Sequence, residues 1–208
     1  MPTPSDSDHA PLVLASTSPY RATLLRRLGL EFSVCPPSVD EAPVDGERAA
    51  ALATRLARAK AQSVSRHHAQ SLVIGSDQTL AVDGELFGKP GSPQAAARQL
   101  RRLSGRTAQF QTAVCVAHAE GGHLLQACVP TRVTFRALTS AEIDAYVVRE
   151  PAFDCAGSFK GEGLGIALCE RMCSDDPTAL VGLPLIALCS LLRRAGLNPL
   201  AAAGCGHS

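Results

Sequence analysis

The 208-residue sequence has almost no net charge: 20 lysines and arginines stand against 19 aspartates and glutamates, giving +1 at pH 7. An extended nucleic-acid backbone would call for a strongly basic stripe, so nucleic acid is not an expected partner and any bound phosphate should be small. Long apolar runs are missing too. No uninterrupted segment reaches the roughly 18 residues of a spanning helix, which leaves the membrane out of the expected partners. The opening MPTPSDSDHA lacks the positive start and apolar stretch of a secretion signal. It reads as a disordered tail over 1–10, matched by a short tail over 201–208, and a soluble cytoplasmic protein is expected. There is no G-x-x-x-x-G-K-[ST] phosphate loop and no H-E-x-x-H helix. Nor is there a C-x-x-C pair; the nearest cysteines, Cys169 and Cys173, have no matching second pair, which speaks against zinc. The eight cysteines lie mostly inside apolar stretches and read as buried reduced thiols, not as a disulfide framework. Internal repeats and low-complexity linkers are absent. With 46% hydrophobic residues, the chain suffices for one sizeable core.

What is present is an alternation of strand and helix signals. Pro11 to Ala15 is a short apolar strand pattern, and Ser18-Pro19 has the cap and first-turn proline of a helix whose leucines 24, 25 and 28 stop at Gly29. Leu30 to Cys35 alternates like a strand until Pro36-Pro37. An amphipathic helix is expected from Glu47 to His67, with Leu52, Leu56 and Lys60 at one-turn spacing. Leu72 to Val82 reads as a strand, Asp83-Gly84 as a two-residue hairpin turn, and Glu85 to Phe87 as its return. Ser92-Pro93 opens another helix, followed by strands at 109–119 and 124–135. Thr139 and Glu142 have capping-box spacing for a helix through Arg149, and Pro184 opens a last one. Asp154 to Gly165 reads as a glycine-rich loop, and 165–184 as turns. The pattern implies an α/β or α+β domain on a mixed, twisted sheet flanked by helices.

Chemistry could sit at several of these points. Ser16-Thr17-Ser18-Pro19-Tyr20-Arg21 places hydroxyls, backbone N–H groups and a guanidinium at a helix start, a setting for phosphate that ordinary capping explains equally. Glu41 in Val39-Asp40-Glu41 either binds a divalent cation or faces water. Lys60 either meets an anion at a core edge or snorkels to solvent. Asp77, inside an apolar strand, must be compensated by a metal, a basic residue or a backbone network. Lys89 follows the hairpin closely enough to reach back toward that acid. Lys160 and Glu162 lie in the glycine-rich loop, which could wrap a base or a phosphate.

In this order and at these spacings, Ser16 to Arg21, Val39 to Glu41, Arg55 to Ala61, Ile74 to Gln78, Gly88 to Pro90 and Gly157 to Gly165 resemble the Maf family of nucleoside triphosphate pyrophosphatases. The resemblance runs from about residue 11 to 200. It implies a single α/β domain with two lobes, similar to inosine triphosphatases, and hydrolysis between the α and β phosphates with Mg²⁺ or Mn²⁺ as cofactor. Asp77 matches the family's proton acceptor. Arg21, Lys60 and Lys89 match its phosphate-facing cations, Ser16, Ser18 and Lys160 join them as substrate-binding residues, and Glu41 with Asp77 forms the expected metal pair. Tyr20, Gln78 and Glu162 look like the branch acting on 7-methyl-GTP, where an aromatic face would stack on a cationic base and a carboxylate would accept its N1–H and amine. One departure is that this branch often carries tryptophan where Tyr20 stands. The rival readings are a dTTP/UTP pyrophosphatase and a nucleotide-binding regulator of septum formation. A small-molecule nucleotide is the expected partner, and a homodimer is compatible with the sequence.

Overall fold

The structure is a computed structural model and describes residues 10–202. The expected tails lie outside the described residues except for Ala10, which packs partly against the core, and Ala201 and Ala202, which end a short helix.

The chain opens with β1 (Leu12–Ala15), α1 (Pro19–Arg26) and β2 (Ser33–Val34). The expected strand over 30–35 shrinks to two residues. They pair in parallel with Val13 and Leu14 at the sheet's edge, and Pro36-Pro37 supplies no N–H to extend the ladder. Next come α2 (Ala49–Ser65), β3 (Leu72–Val82) and β4 (Glu85–Phe87). Asp83 and Gly84 both have positive φ, at 51° and 86°, as the two-residue hairpin turn requires. The helix α3 (Pro93–Leu103) leads into β5 (Thr107–His118) and β6 (His123–Phe135), and α4 (Ser140–Arg149) carries the full Thr139/Glu142 capping box. Short 3₁₀ turns at Ala156–Ser158 and Leu164–Leu168 precede β7 (Cys169–Ser174). A further 3₁₀ turn at Ala179–Val181, then α5 (Leu185–Arg194) and α6 (Pro199–Ala202), complete the described chain.

One seven-stranded mixed sheet results, in the order β2-β1-β3-β5-β6-β7 with β4 paired to the far half of β3. Pairing is parallel among β2, β1 and the near half of β3, and antiparallel elsewhere. Helices cover the sheet. Leucines of α1 and α5 pack on β1, β3 and β5 around Leu14, Ile74 and Val114. Beyond Asp77, a second cluster gathers Leu80, Phe110, Phe135 and Phe159 with α3 and α4.

Two expectations change. Residues 165–184, read as turns, contain the edge strand β7, whose sequence CERMCS is mostly exposed and so lacks the apolar alternation that would reveal it. Of the cysteines, Cys115 is buried, while Cys35, Cys128, Cys155, Cys169, Cys173 and Cys189 are half-buried; all seven are free thiols, and Cys205 lies outside the described residues. No helix among the described residues is long and apolar enough to cross a membrane.

Candidate active site

The strand β3 threads the centre of the sheet between β1 and β5, with Asp77 opposite Ala113. Gly75 allows a close approach of α2. A Cβ there would run into the Ala57 carbonyl and Ala61, and the small residues Ala53, Ala57 and Ala61 seat the helix on Ala113, Cys115 and Ala117. This brings the buried Lys60 onto the buried Asp77, with Nζ donating to Oδ1 at 2.6 Å. The same ammonium meets Glu41 Oε1 at 2.7 Å, and the Glu41 side chain is 56% exposed. Lys60 therefore clamps two carboxylates from different parts of the chain and keeps its third donor. The alternatives left by the sequence narrow: Asp77 is compensated by a basic residue, and Lys60 does not snorkel.

Burial pushes the Asp77 carboxyl above its ordinary value, against the pull of Lys60 and Arg21. Burial acts the same way on Glu41, but there the hydrogen bond and charge of Lys60, aided by Lys89 and Arg21, prevail and hold the carboxyl below its usual value. Arg21 is lowered by desolvation while the charges of Asp77 and Glu41 oppose the change.

Arg21 is aimed by its surroundings. Its Nε donates to the Gly182 carbonyl at 2.9 Å and its Nη1 to Ser16 Oγ at 3.4 Å. Ser16 Oγ also accepts from Ser18 N–H, and Ser18 Oγ caps Arg21 N–H, so both serine hydroxyls organise the turn that presents the guanidinium. Gly182, at φ 115°, takes a backbone conformation that suits glycine, and its carbonyl shares the hydrogen of the fully buried Ser76 hydroxyl, at 2.9 Å, with the Ala113 carbonyl at 2.7 Å. Lys89 is exposed at the cleft wall.

The two hydrogens of Gln78 Nε2 are shared among Thr112 Oγ1 and the carbonyls of Ala179 and Leu180, all at 2.9–3.0 Å. Thr112 Oγ1 gives its own hydrogen to Ala179, so it accepts from Gln78, which fixes the amide's orientation. The donors of Gln78 thus hold the 179–181 turn, and what it can offer a ligand is the acceptor Oε1.

The glycine-rich loop closes around a carboxylate of the protein itself. Glu150, at the end of α4, accepts Leu164 N–H at 3.0 Å and Lys160 Nζ at 3.2 Å, and a Cβ on Gly163 would collide with that carboxylate. The N–H groups of Gly163 and Gly165 donate to the Lys160 carbonyl. Glu162, exposed, remains at the cleft wall with the half-buried Tyr20, whereas Lys160 stands outside the lining, its ammonium 5.3 Å from the centroid of the Tyr20 ring.

These groups border one cleft of about 710 Å³. Its lining includes Ser16, Ser18, Arg21, Glu41, Lys60, Asp77 and Lys89 about the ion-pair cluster, and also Tyr20, Gln78, Phe159, Glu162 and Leu180. Among the described residues no three potential ligands of the His, Cys, Asp and Glu type cluster for a metal. A magnesium-like ion, however, is usually held by one or two carboxylates together with substrate phosphates. Asp77 and Glu41 fit that role: three cations against two carboxylates leave one net positive charge at the cleft wall, and a divalent cation held there would add two more toward a polyphosphate.

Sequence reasoning missed Ser76, Thr112, Glu150, Asp176 and Gly182. Asp176 is 2% exposed and accepts Thr178 N–H and Oγ1–H and the Ile186 and Ala187 N–H groups, pinning the turn that carries Ala179, Leu180 and Gly182 to the start of α5. The Asp-Pro-Thr sequence was a signal for that turn and for its local bonds to Thr178, but the partners at the start of α5 are not readable from it.

The family described as Maf-like protein matches residues 11–195. A protein of Cupriavidus pinatubonensis called 7-methyl-GTP pyrophosphatase is 55% identical over 185 residues, covering 89% of this chain and 93% of the relative. A protein of the same name from Bordetella avium is 54% identical over 189 residues, covering 91% and 95%. The solved Ham1 protein of Staphylococcus aureus overlaps in part, at 17% identity and a TM-score of 0.45, covering 60% of this chain and 71% of that one.

Proposed function

Because this chain belongs to the Maf-like protein family, we propose that it is a nucleoside triphosphate pyrophosphatase that converts 7-methyl-GTP to 7-methyl-GMP and pyrophosphate. The observation that carries the reading is the Lys60 clamp on Asp77 and Glu41 at the wall of a cleft that also presents Arg21 and Lys89.

Asp77 is the base. Its Oδ1 is held by Lys60, leaving Oδ2 to orient a water and take its proton as the water oxygen joins the α-phosphorus and the bridging oxygen leaves with pyrophosphate. A carboxyl raised by burial is a better proton acceptor than a free one. Arg21, fixed by Gly182 and Ser16, and the third donor of Lys60 face the charge that develops on the leaving pyrophosphate, with Lys89 at the rim. Asp77 and Glu41 would hold Mg²⁺ or Mn²⁺ with the substrate's phosphates, and such an ion lowers the pKa of a bound water toward about 7.

At the other part of the cleft, the Tyr20 ring offers a face to the cationic 7-methylguanine and Glu162 a carboxylate to its N1–H and amine. Gln78 adds an acceptor where a pyrimidine would bring carbonyl oxygens, which favours a base rich in donors over thymine or uracil. Seven free thiols suit a reducing compartment such as the cytoplasm. The test is a nucleotide panel with Mg²⁺ or Mn²⁺. Pyrophosphate should be released faster from 7-methyl-GTP than from GTP, dTTP, UTP or CTP, and release of orthophosphate alone would rule the reaction out.

A further inference from the structure

We propose that Lys160 and Glu150 are positioning residues for base recognition: they back the Tyr20 ring from outside the cleft and leave its other face to the base. This rests on the reading of Tyr20 as the stacking platform.

Lys160 is fixed along its whole length. Its N–H donates to the Tyr146 hydroxyl at 3.2 Å and its carbonyl accepts from Gly163 and Gly165. Its ammonium is held at 3.2 Å by Glu150, which is itself anchored by Leu164 N–H. The ammonium stands 5.3 Å from the Tyr20 centroid, and Lys160 takes no part in lining the cleft that Tyr20 and Glu162 line. The Lys160 ammonium is directed to the Glu150 carboxylate and the Tyr20 ring, and not to the Asp77, Lys60 and Arg21 cluster. The absence of a Cβ at Gly163 lets the Glu150 carboxylate seat against the loop that also carries Glu162. One ion pair therefore holds both the stacking ring and the base-facing acid to the end of α4, and that link lowers the ordering cost of base binding.

The experiment compares Lys160→Ala, Lys160→Arg and Glu150→Gln with the parent. Lys160→Ala is expected to raise KM for 7-methyl-GTP roughly two- to fivefold, as suits one partly exposed cation–π contact. The change should fall on KM and not on kcat, Lys160→Arg should restore it, and Glu150→Gln should move KM in the same direction. Inhibition by inorganic tripolyphosphate, which has no base, should not change. If tripolyphosphate inhibition weakens in step with KM, Lys160 is a phosphate ligand and the proposal falls. A second readout needs no substrate. The chain has two tyrosines and no tryptophan, and Tyr146 is 3% exposed, so acrylamide-quenchable emission reports on Tyr20. Quenching should rise in Lys160→Ala; unchanged quenching would overturn the contact even if the parent turned over no nucleotide at all.

Discussion

The two parts of the cleft are built differently. Where Asp77, Lys60 and Arg21 meet, two charged residues are buried, and each of the three projects from a strand or helix: β3 at the centre of the sheet, α2 pressed onto it and the first turn of α1. Where Tyr20 and Glu162 meet, the acid is exposed, its support is a loop broken by 3₁₀ turns, and the ion pair behind it remains partly solvated. Rigid elements fix a few ionic groups in low dielectric, where each interaction is strong. A loop held by a partly solvated ion pair and a few hydrogen bonds fixes its groups less strongly but can differ from one protein to the next without disturbing the core. The two parts share the first turn of α1, where Tyr20 and Arg21 stand side by side. Asp77 and Glu162, however, are carried by different segments, so damage at either acid should leave the contribution of the other measurable.

The largest expected effect breaks the buried part. Asp77→Asn should lower kcat by roughly 10²- to 10⁴-fold, the usual worth of a positioned base, with thermal unfolding close to the parent's; near-normal turnover would remove Asp77 from the mechanism. Lys60→Met should be next, because it strands a buried carboxylate and costs about 3–5 kcal/mol in denaturant unfolding. Adding Asp77→Asn to it should recover part of that stability and none of the activity, whereas equal losses in the single and double variants would disprove the coupling.

Asp176→Ala, which removes the acceptor for four donors, should cost about 2–4 kcal/mol and lower activity by releasing the turn behind Arg21 and Gln78. A stable variant with full activity would show that the turn does not position the site. At the other part of the cleft, Glu162→Gln should leave stability unchanged and shrink the preference for 7-methyl-GTP over GTP by roughly tenfold, as for one charge-assisted contact. An unmoved ratio would undercut base reading by that carboxylate.

The smallest expected effect concerns two carboxyls remote from this contrast. Glu47 is held at about 2 by Arg55 and the Val44 N–H, and Glu142 at about 2 by the Thr139 N–H and hydroxyl and by Arg136. Both folded-state values lie below the ordinary one. Their contribution is therefore complete above about 4.5 and is lost as pH falls toward 2. The unfolding temperature of Glu142→Gln should converge on the parent's over that interval, and a constant gap down to pH 2 would show that the capping box does not carry the effect.

Local signals decided most of the architecture. The β3–β4 hairpin turn needs two residues at positive φ, and Asp83-Gly84 supplies them; the capping box at Thr139/Glu142 is a four-residue pattern complete in itself. The edge strands were less legible: Leu30 to Cys35 alternated but pairs over two residues only, and β7 meets water along most of its surface and so does not have to show an apolar period. The charged cluster was legible for the opposite reason. An aspartate in an apolar strand and a lysine on a leucine-bearing helix face are conspicuous because burying either alone is costly.

The sequence by itself therefore determined most of the elements and their turns, that Asp77 required compensation, and that Lys60 either met an anion or reached solvent, since propensity, capping and desolvation act over a few residues. Only the tertiary structure decided that each is the other's partner, with Glu41 as a third. It also decided that Gln78 gives its donors to a turn a hundred residues away, and that the glycine-rich loop is anchored on Glu150. Such pairings depend on which segments the sheet order brings within hydrogen-bonding reach, and hydrogen bonds act over about 3 Å, so the sequence spacing of the partners carries no trace of them.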